Sequence, residues 1–137
     1  MSQKRIILET TLFSTEPEGD LEFCNGMPGS HFANWLKELL NKYGYHCTES
    51  TQEDYGWNFD VEDANLKIVV HISWVGDTPG KQEGTPEWVI SYSHDAGLNP
   101  MKWFQGSKAA AAINKLDDII KNSLKADSNI KILEEPS

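Results

Sequence analysis

Two histidines, His71 and His94, are candidates for acid–base chemistry. His71 lies on the polar side of a run in which apolar and polar residues alternate, and His94 is followed at once by Asp95. An imidazole titrates near neutral pH, and a neighbouring carboxylate can hold it there, as a general base requires. The catalytic candidates are therefore His71, His94 and Asp95, although lone surface histidines are common and no nucleophile motif accompanies them.

The spacing of cysteine and histidine predicts no metal site. The chain has two cysteines and four histidines, without a Cys-x-x-Cys or His-x-x-x-His pair, whereas zinc sites usually contain one such pair. Phosphate-binding and dinucleotide motifs are also absent. We therefore expect no metal and no cofactor, and we expect Cys24 and Cys47 to be reduced in a cytoplasmic protein.

The charge is strongly acidic and unevenly spread. Twelve basic and 21 acidic residues give a net charge of −9, which argues against direct binding to nucleic acid or to an anionic membrane. Residues 9–22 hold five acids and residues 49–63 hold six, with no Lys or Arg in either segment. Such a balance fits a basic partner or solubility alone. No apolar run approaches the roughly 20 residues that cross a bilayer, and the N-terminus does not predict a signal peptide.

Tryptophans supply a second group of candidate contacts. Trp74 and Trp88 flank a connection, residues 75–86, that is rich in Gly and Pro, and Trp103 follows in another irregular stretch. Exposed aromatic residues can anchor a ligand or partner, and long loops are often functional. The same tryptophans also fit a hydrophobic core and its margin, and disorder explains the loop equally well.

The elements that position these residues centre on an antiparallel hairpin within residues 52–74. Alternation of apolar and polar residues is typical of strands with one buried face, and a turn at 63–65 sets the register because a slip of one residue would move the apolar set into water. The predicted pairs are Val61 with Ile68, Phe59 with Val70, Trp57 with Ile72 and, on the polar face, Glu62 with Lys67. A third strand at 87–94 pairs Trp74 with Trp88, Ile72 with Ile90 and Val70 with Tyr92.

Two amphipathic helices complete the core. The first is predicted to follow an N-cap at Ser30 and to end at Gly44, and the second follows an N-cap at Ser107. The apolar stripe of the first helix comprises Phe32, Trp35, Leu36, Leu39, Leu40 and Tyr43. Further strands are predicted at 5–13, 45–48 and 129–133, with a short one at 21–24 and a frayed tail at 134–137.

These elements predict a single two-layer α+β domain over residues 1–137. Its antiparallel sheet has about four to six strands, both helices pack on one face, and the order is strand, short strand, helix, four strands, helix, strand. The opposite face then shows mostly polar and charged residues, among them Asn58, Asp60, Glu62, His71 and Ser93, with His71 opposite Asn58. A helix, three strands and a helix in a small acidic chain is similar to the dimeric chaperones of bacterial type III secretion. That similarity covers residues 31–124 in element order and implies no site residue.

We therefore expect a non-enzymatic module that binds another protein, with a basic partner favoured by charge. Inhibitors of basic nucleases, immunity proteins, phage counter-defence proteins and secretion chaperones share such a surface. The expected contact residues are Asp54, Asp60, Glu62, Trp74 and Trp88. The alternative is a small enzyme or ligand binder that uses His71, His94 and Asp95 with the aromatic edge around Trp74, Trp88 and Trp103. A monomer and a homodimer both fit the pattern.

Overall fold

The computed structural model describes residues 4–17, 26–63, 66–76, 84–94 and 106–133. They form one antiparallel sheet and two helices. The strands are β1 (Arg5–Thr10), β2 (His46–Cys47), β3 (Thr51–Glu53), β4 (Gly56–Asp63), β5 (Leu66–Val75), β6 (Glu87–His94) and β7 (Ile130–Leu133), and the helices are α1 (Ser30–Lys42) and α2 (Gly106–Lys125). The sheet order is β2-β4-β5-β6-β1-β7, and β3 also pairs with β4.

The predicted α+β architecture is confirmed, with seven strands instead of four to six. The strand that the sequence did not predict is β3. It pairs with one end of β4 while β2 pairs with the other end. Thr48 bridges the gap between them, because its N–H donates to the Asp60 carbonyl and its hydroxyl accepts from the Asp60 N–H, both at 2.9 Å.

Some predicted features lie outside the described residues. They are the short strand at 21–24, the tail at 134–137, Asp95, Trp103, most of the 75–86 connection, and the turn residues 64 and 65.

The predicted register of the three central strands is confirmed. Val61 pairs with Ile68, and Glu62 faces Lys67 across the same two strands. The remaining pairs also match: Phe59 with Val70, Trp57 with Ile72, Trp74 with Trp88, Ile72 with Ile90 and Val70 with Tyr92. Because side chains alternate between the two faces of a sheet, this register determines, for each residue of β4, β5 and β6, which of the two faces its side chain lies on.

One face of the sheet is buried under both helices. The central strands contribute Phe59, Val61, Ile68, Val70, Ile72, Trp74, Trp88 and Ile90, and the helices contribute Phe32, Leu36, Leu40, Leu116, Ile120 and Leu124. The Phe32 ring meets the Trp88 ring edge-on at 5.5 Å and stacks on the Phe13 ring at 4.1 Å. Burial of each large apolar side chain contributes about 1.5–3 kcal/mol before the loss of conformational entropy.

Helix α1 begins one residue before the sequence predicted. Ser30 is already helical, so the predicted N-cap at Ser30 is wrong, and Gly29 occupies that position with φ 146° and no side-chain cap. A Cβ at Gly29 would lie 2.8 Å from Trp57 Cδ1, and the Trp57 indole N–H donates to the Met27 carbonyl at 2.8 Å. Packing against Trp57 therefore outweighs the capping preference of serine at this end.

The C-terminal end of α1 matches the prediction at Gly44. Gly44 has φ 89°, and the N–H groups of Gly44 and Tyr45 donate to the carbonyls of Asn41 and Leu40. This pair of bonds is the Schellman motif. Tyr43 is 58% exposed, so its predicted place in the apolar stripe is wrong, since the chain leaves the helix at this residue. Helix α2 begins at Gly106, so Ser107 is already helical and the predicted N-cap at Ser107 is also wrong.

A buried carboxylate joins α2 to the sheet. Asp117 is fully buried, and the Tyr92 hydroxyl donates to its Oδ1 at 3.0 Å. Lys121 Nζ lies 3.5 Å from its Oδ2. Burial first, and the Asp117 charge next, raise the pKa of Tyr92, so this hydroxyl stays protonated. Asp117 therefore has a structural role in the helix–sheet interface.

Alanine variants of two glycines test the register of β4 and β5. A Cβ at Gly56, where φ is 151°, would lie 2.1 Å from the Ile72 carbonyl oxygen, whereas at Gly44 nothing lies within 4 Å. Gly44→Ala should lower the free energy of unfolding by about 1–2 kcal/mol, because a side chain is strained at positive φ. Gly56→Ala should lower it by more, because a strand carbonyl would have to move. Urea unfolding of both variants measures this, and equal losses would contradict the β4–β5 pairing at Gly56.

Candidate functional site

The sheet face opposite the helices carries polar and charged side chains on every strand. In the order of the strands across the sheet, this open face comprises His46, Thr51, Glu53, Asn58, Asp60, Glu62, Lys67, Val69, His71, Ser73, Glu87, Val89, Ser91, Ser93, Arg5, Ile7, Glu9, Lys131 and Leu133. None of these is buried. The open face is the part of the described chain on which several polar side chains converge without a helix above them.

A hydrogen-bonded cluster lies near the middle of the open face. The Tyr55 hydroxyl and His71 Nδ1 share a short hydrogen bond, and the Asn58 amide donates to the same hydroxyl at 2.8 Å. On the other side of the ring, His71 Nε2 lies 2.7 Å from Ser93 Oγ. Four side chains that are up to 38 residues apart in sequence are thereby joined in one chain of hydrogen bonds. We call them the His71 cluster.

The strand register explains how the His71 cluster forms. Asn58 and Ser91 are the direct cross-strand neighbours of His71, on β4 and β6 respectively. Ser93 is two residues beyond Ser91 on the same strand, within diagonal reach of a long side chain. Tyr55 belongs to the two-residue turn that joins β3 to β4. This turn brings the Tyr55 ring to 5.4 Å from the His71 ring, between centroids, at an interplanar angle of 62°.

An open pocket of about 310 Å³ adjoins the cluster. Its walls are Tyr55, His71, Ser73, Ser91, Tyr92 and Ser93. The wall residues are uncharged when the histidine is neutral, and most present a hydroxyl or ring nitrogen. The pocket can therefore accept and donate hydrogen bonds without carrying a charge of its own.

Burial keeps the cluster neutral. It lowers the pKa of His71 from its ordinary value of 6.5, while the carboxylates of Glu53 and Asp60 raise it by smaller amounts. Burial also raises the pKa of Tyr55. With the proton on Nε2, hydrogen bonds run in one direction from Asn58 through Tyr55 and His71 to Ser93. In that tautomer the Ser93 O–H remains to donate to a ligand.

The structure does not bring the predicted catalytic histidines together. His94 pairs with Ile68 and follows Tyr92 by two residues, so it lies on the helix-covered face, whereas His71 lies on the open face. Its Nε2 is buried and has no hydrogen-bond partner among the residues that the structure describes. A single site that uses both His71 and His94 is therefore incompatible with this sheet.

The predicted aromatic contacts are core residues. Trp74 is 4% exposed and Trp88 is fully buried. Each packs on the helix-covered face, opposite the other across β5 and β6. This placement leaves Trp88 no surface for a partner and Trp74 almost none, in line with the alternative that they belong to the core.

The predicted acidic contacts gather at one border of the sheet. Residues 46–63, which form β2, β3 and β4, carry six carboxylates and no Lys or Arg. Glu62 is exposed and Asp60 half-buried on the open face, and Asp54 is exposed in the turn before β4. Glu53 is exposed on β3 beside them. We call residues 46–63 the acidic border.

The described residues offer little for metal or thiol chemistry. No group of three or more His, Cys, Asp or Glu side chains within those ranges could hold a metal ion. Cys47 is a free thiol, and burial raises its pKa to about 11 against the opposing charge of Lys37. The thiol is therefore protonated at neutral pH, unlike a nucleophilic cysteine.

Part of the His71 cluster could be predicted from the sequence. Alternation places His71 opposite Asn58 and Ser93 on the same face, and the register of the sheet confirms these positions. The predicted sites did not include Tyr55 or Ser93 with His71. Tyr55 lies in a turn, where side-chain direction follows from backbone geometry that the alternation does not encode.

Comparison with protein-family models, with curated proteins and with solved structures finds no match to this chain. The similarity in element order to type III secretion chaperones therefore stays a prediction. Among the helices that the structure describes, none is long and apolar enough to cross a membrane.

The lowered pKa of His71 predicts how the cluster responds to pH. The folded protein favours the neutral ring, so His71 contributes stability that is present above its unfolded pKa of about 6.5 and is lost as pH falls through its lower folded pKa. A histidine-selective NMR titration should give a midpoint for His71 below 6.5. Tyr55→Phe and Ser93→Ala should each move this midpoint, since each removes a hydrogen-bond partner. A midpoint above 6.5, set by the two carboxylates, would contradict burial as the main cause.

Proposed function

We propose that the protein is a non-enzymatic binding module that engages a basic protein through the acidic border and the adjoining open face. The observation that supports this most directly is the concentration of six carboxylates, with no Lys or Arg, in residues 46–63, which comprise β2, β3, β4 and the connections between them at one border of the sheet. The basic residues of the open face lie outside residues 46–63: Lys67 is on β5, directly opposite Glu62, Arg5 is on β1 and Lys131 is on β7.

Complementary charge suits recognition of this kind. Charged patches steer the encounter of two proteins and raise the association rate, and they also disfavour partners of the same sign. The acidic border would attract a basic surface and repel nucleic acid, whose phosphates are negative. Inhibitors of basic enzymes, immunity or counter-defence proteins and secretion chaperones act in this way. The proposal places the protein in the cytoplasm, where a free thiol such as Cys47 stays reduced.

A second candidate function is acyl transfer at Ser93, favoured by the 2.7 Å separation of His71 Nε2 and Ser93 Oγ. A histidine at this distance can take the proton of a serine nucleophile. Such enzymes also need N–H donors aimed at the developing oxyanion. Ser93 lies on the open face, opposite Val69 of β5, whereas both described helices pack on the other face of the sheet, so neither helix presents its N-terminal N–H groups to Ser93. The binding function is therefore the better supported of the two.

Charge reversal tests the binding function. Asp60→Lys with Glu62→Lys should abolish capture of a basic protein by the tagged chain from a lysate of its source. Capture by the unmodified chain should weaken as salt rises, because exposed charges are screened.

The matched control is Glu38→Lys with Asp118→Lys, which makes the same change of charge at exposed positions on the two helices. It should leave the captured basic protein in place. Equal loss with both pairs would point to total charge instead of the acidic border and would count against the proposal.

A serine-directed fluorophosphonate probe tests the second candidate. Since the binding function needs no nucleophile, Ser93 should not be labelled above the level of a Ser93→Ala variant. Labelling that requires both Ser93 and His71, detected by mass spectrometry of the modified peptide, would favour acyl transfer over binding.

A further inference from the structure

We infer that the pocket beside His71 receives a guanidinium or ammonium side chain of the basic partner. The inference rests on the proposed function and adds the place and the chemistry of one contact. A pocket of about 310 Å³ offers room for one long side chain, and its opening lies on the open face beside the acidic border.

The electrostatics of the pocket favour a cation. None of the wall residues that the structure describes is Asp, Glu, Lys or Arg, so the charges around the pocket decide which ligand enters. Glu53 and Asp60 are close enough to the ring to oppose the effect of burial on His71. A cation near His71 would gain from both carboxylates, whereas an anion would be repelled by them.

The basic residues on the other strands determine from which side of the pocket a cation is attracted. Arg5 on β1 is paired with Ser91, on the side of the pocket away from β4, and Lys67 is paired with Glu62 farther along β5. A cation that enters from solvent is therefore drawn toward β3 and β4. The amide of Asn58 and the hydroxyl of Ser93, which belong to the His71 cluster, carry no charge.

The shape of the pocket suits a planar cation. The Tyr55 ring is 38% exposed and forms one wall, so a guanidinium can stack on its face. The hydroxyl oxygens of Ser73, Ser91 and Ser93 can accept its N–H groups. Arginine, with five donors in a fixed plane, matches this arrangement better than lysine does.

Protonation of His71 would oppose such a ligand. The ring is neutral above its folded pKa, which lies below 6.5, and the imidazolium that forms at lower pH would repel a cation in the same pocket. Binding should therefore be full near neutral pH and weaken as pH falls through the pKa of His71. By reciprocity, a bound cation should lower that pKa further.

The test uses the full chain and a small probe, N-acetyl-arginine amide, with N-acetyl-citrulline amide as the uncharged control of similar shape. The His71 ring signal in NMR should shift in a saturable way with the arginine amide, in about the millimolar range expected for one side chain. It should shift far less with the citrulline amide. The shift should fade as pH falls through the pKa of His71.

Variants locate the effect. Glu53→Gln with Asp60→Asn should weaken the arginine amide about fivefold or more, whereas Glu38→Gln with Asp118→Asn, on the helices, should leave it unchanged. Equal responses to the two amides, no response at His71, or equal effects of the two variant pairs would each overturn the inference.

These results are distinguishable from failure of the proposed function. If the arginine amide does not bind at the pocket while Asp60→Lys with Glu62→Lys still abolishes partner capture, only the inference about the pocket is lost. If the His71 signal responds to the arginine amide but Asp60→Lys with Glu62→Lys does not change partner capture, the proposed function is lost.

Discussion

The structure depends on the register of β4, β5 and β6. Trp57, Ile72 and Ile90 stand in one row across these strands, and a shift of any strand by one residue would exchange its buried and exposed sides. The apolar side of the row lies beneath α1 and α2, where large side chains are almost completely buried. The hydrophobic effect therefore fixes the register, and the register in turn fixes what the opposite face displays.

The open face is a consequence of the same constraint. Asn58, His71 and Ser91 form the next row of the sheet, one residue along each strand. Once the core row is in place, His71 has to face away from the helices. The turn between β3 and β4 then adds Tyr55, and the diagonal position of Ser93, two residues beyond Ser91 on β6, lets it reach the other side of the ring. The core thus positions a polar cluster that shares no side chain with it.

The division between buried and open faces could be predicted from sequence, because alternation is a property of the chain alone. The pairs of the central strands followed from it, and the end of α1 at Gly44 followed from the ability of glycine to take a positive φ after a helix. Other features depend on tertiary contacts that alternation does not contain. Gly29 displaced Ser30 from the N-cap because only a residue without a Cβ fits against Trp57. Residues 51–53 form β3 although Glu is depleted in strands, because the long strand β4 offers them a partner. Tyr55 joined the site because of a turn, and the burial of Trp74 and Trp88 followed from helices laid over their face.

Histidine ring contacts measured by NMR give the most direct test of this account. Nuclear Overhauser effects from the His71 ring protons should reach the Tyr55 ring and the β-protons of Ser93, and those of His94 should lead instead to residues of the helix-covered face such as Ile68. That result would place the two histidines on opposite faces, as the register requires. Contacts from the His71 ring to the methyl groups of Leu116 or Ile120 in α2 would contradict the register, and with it the open face, the cluster and the proposed mode of binding.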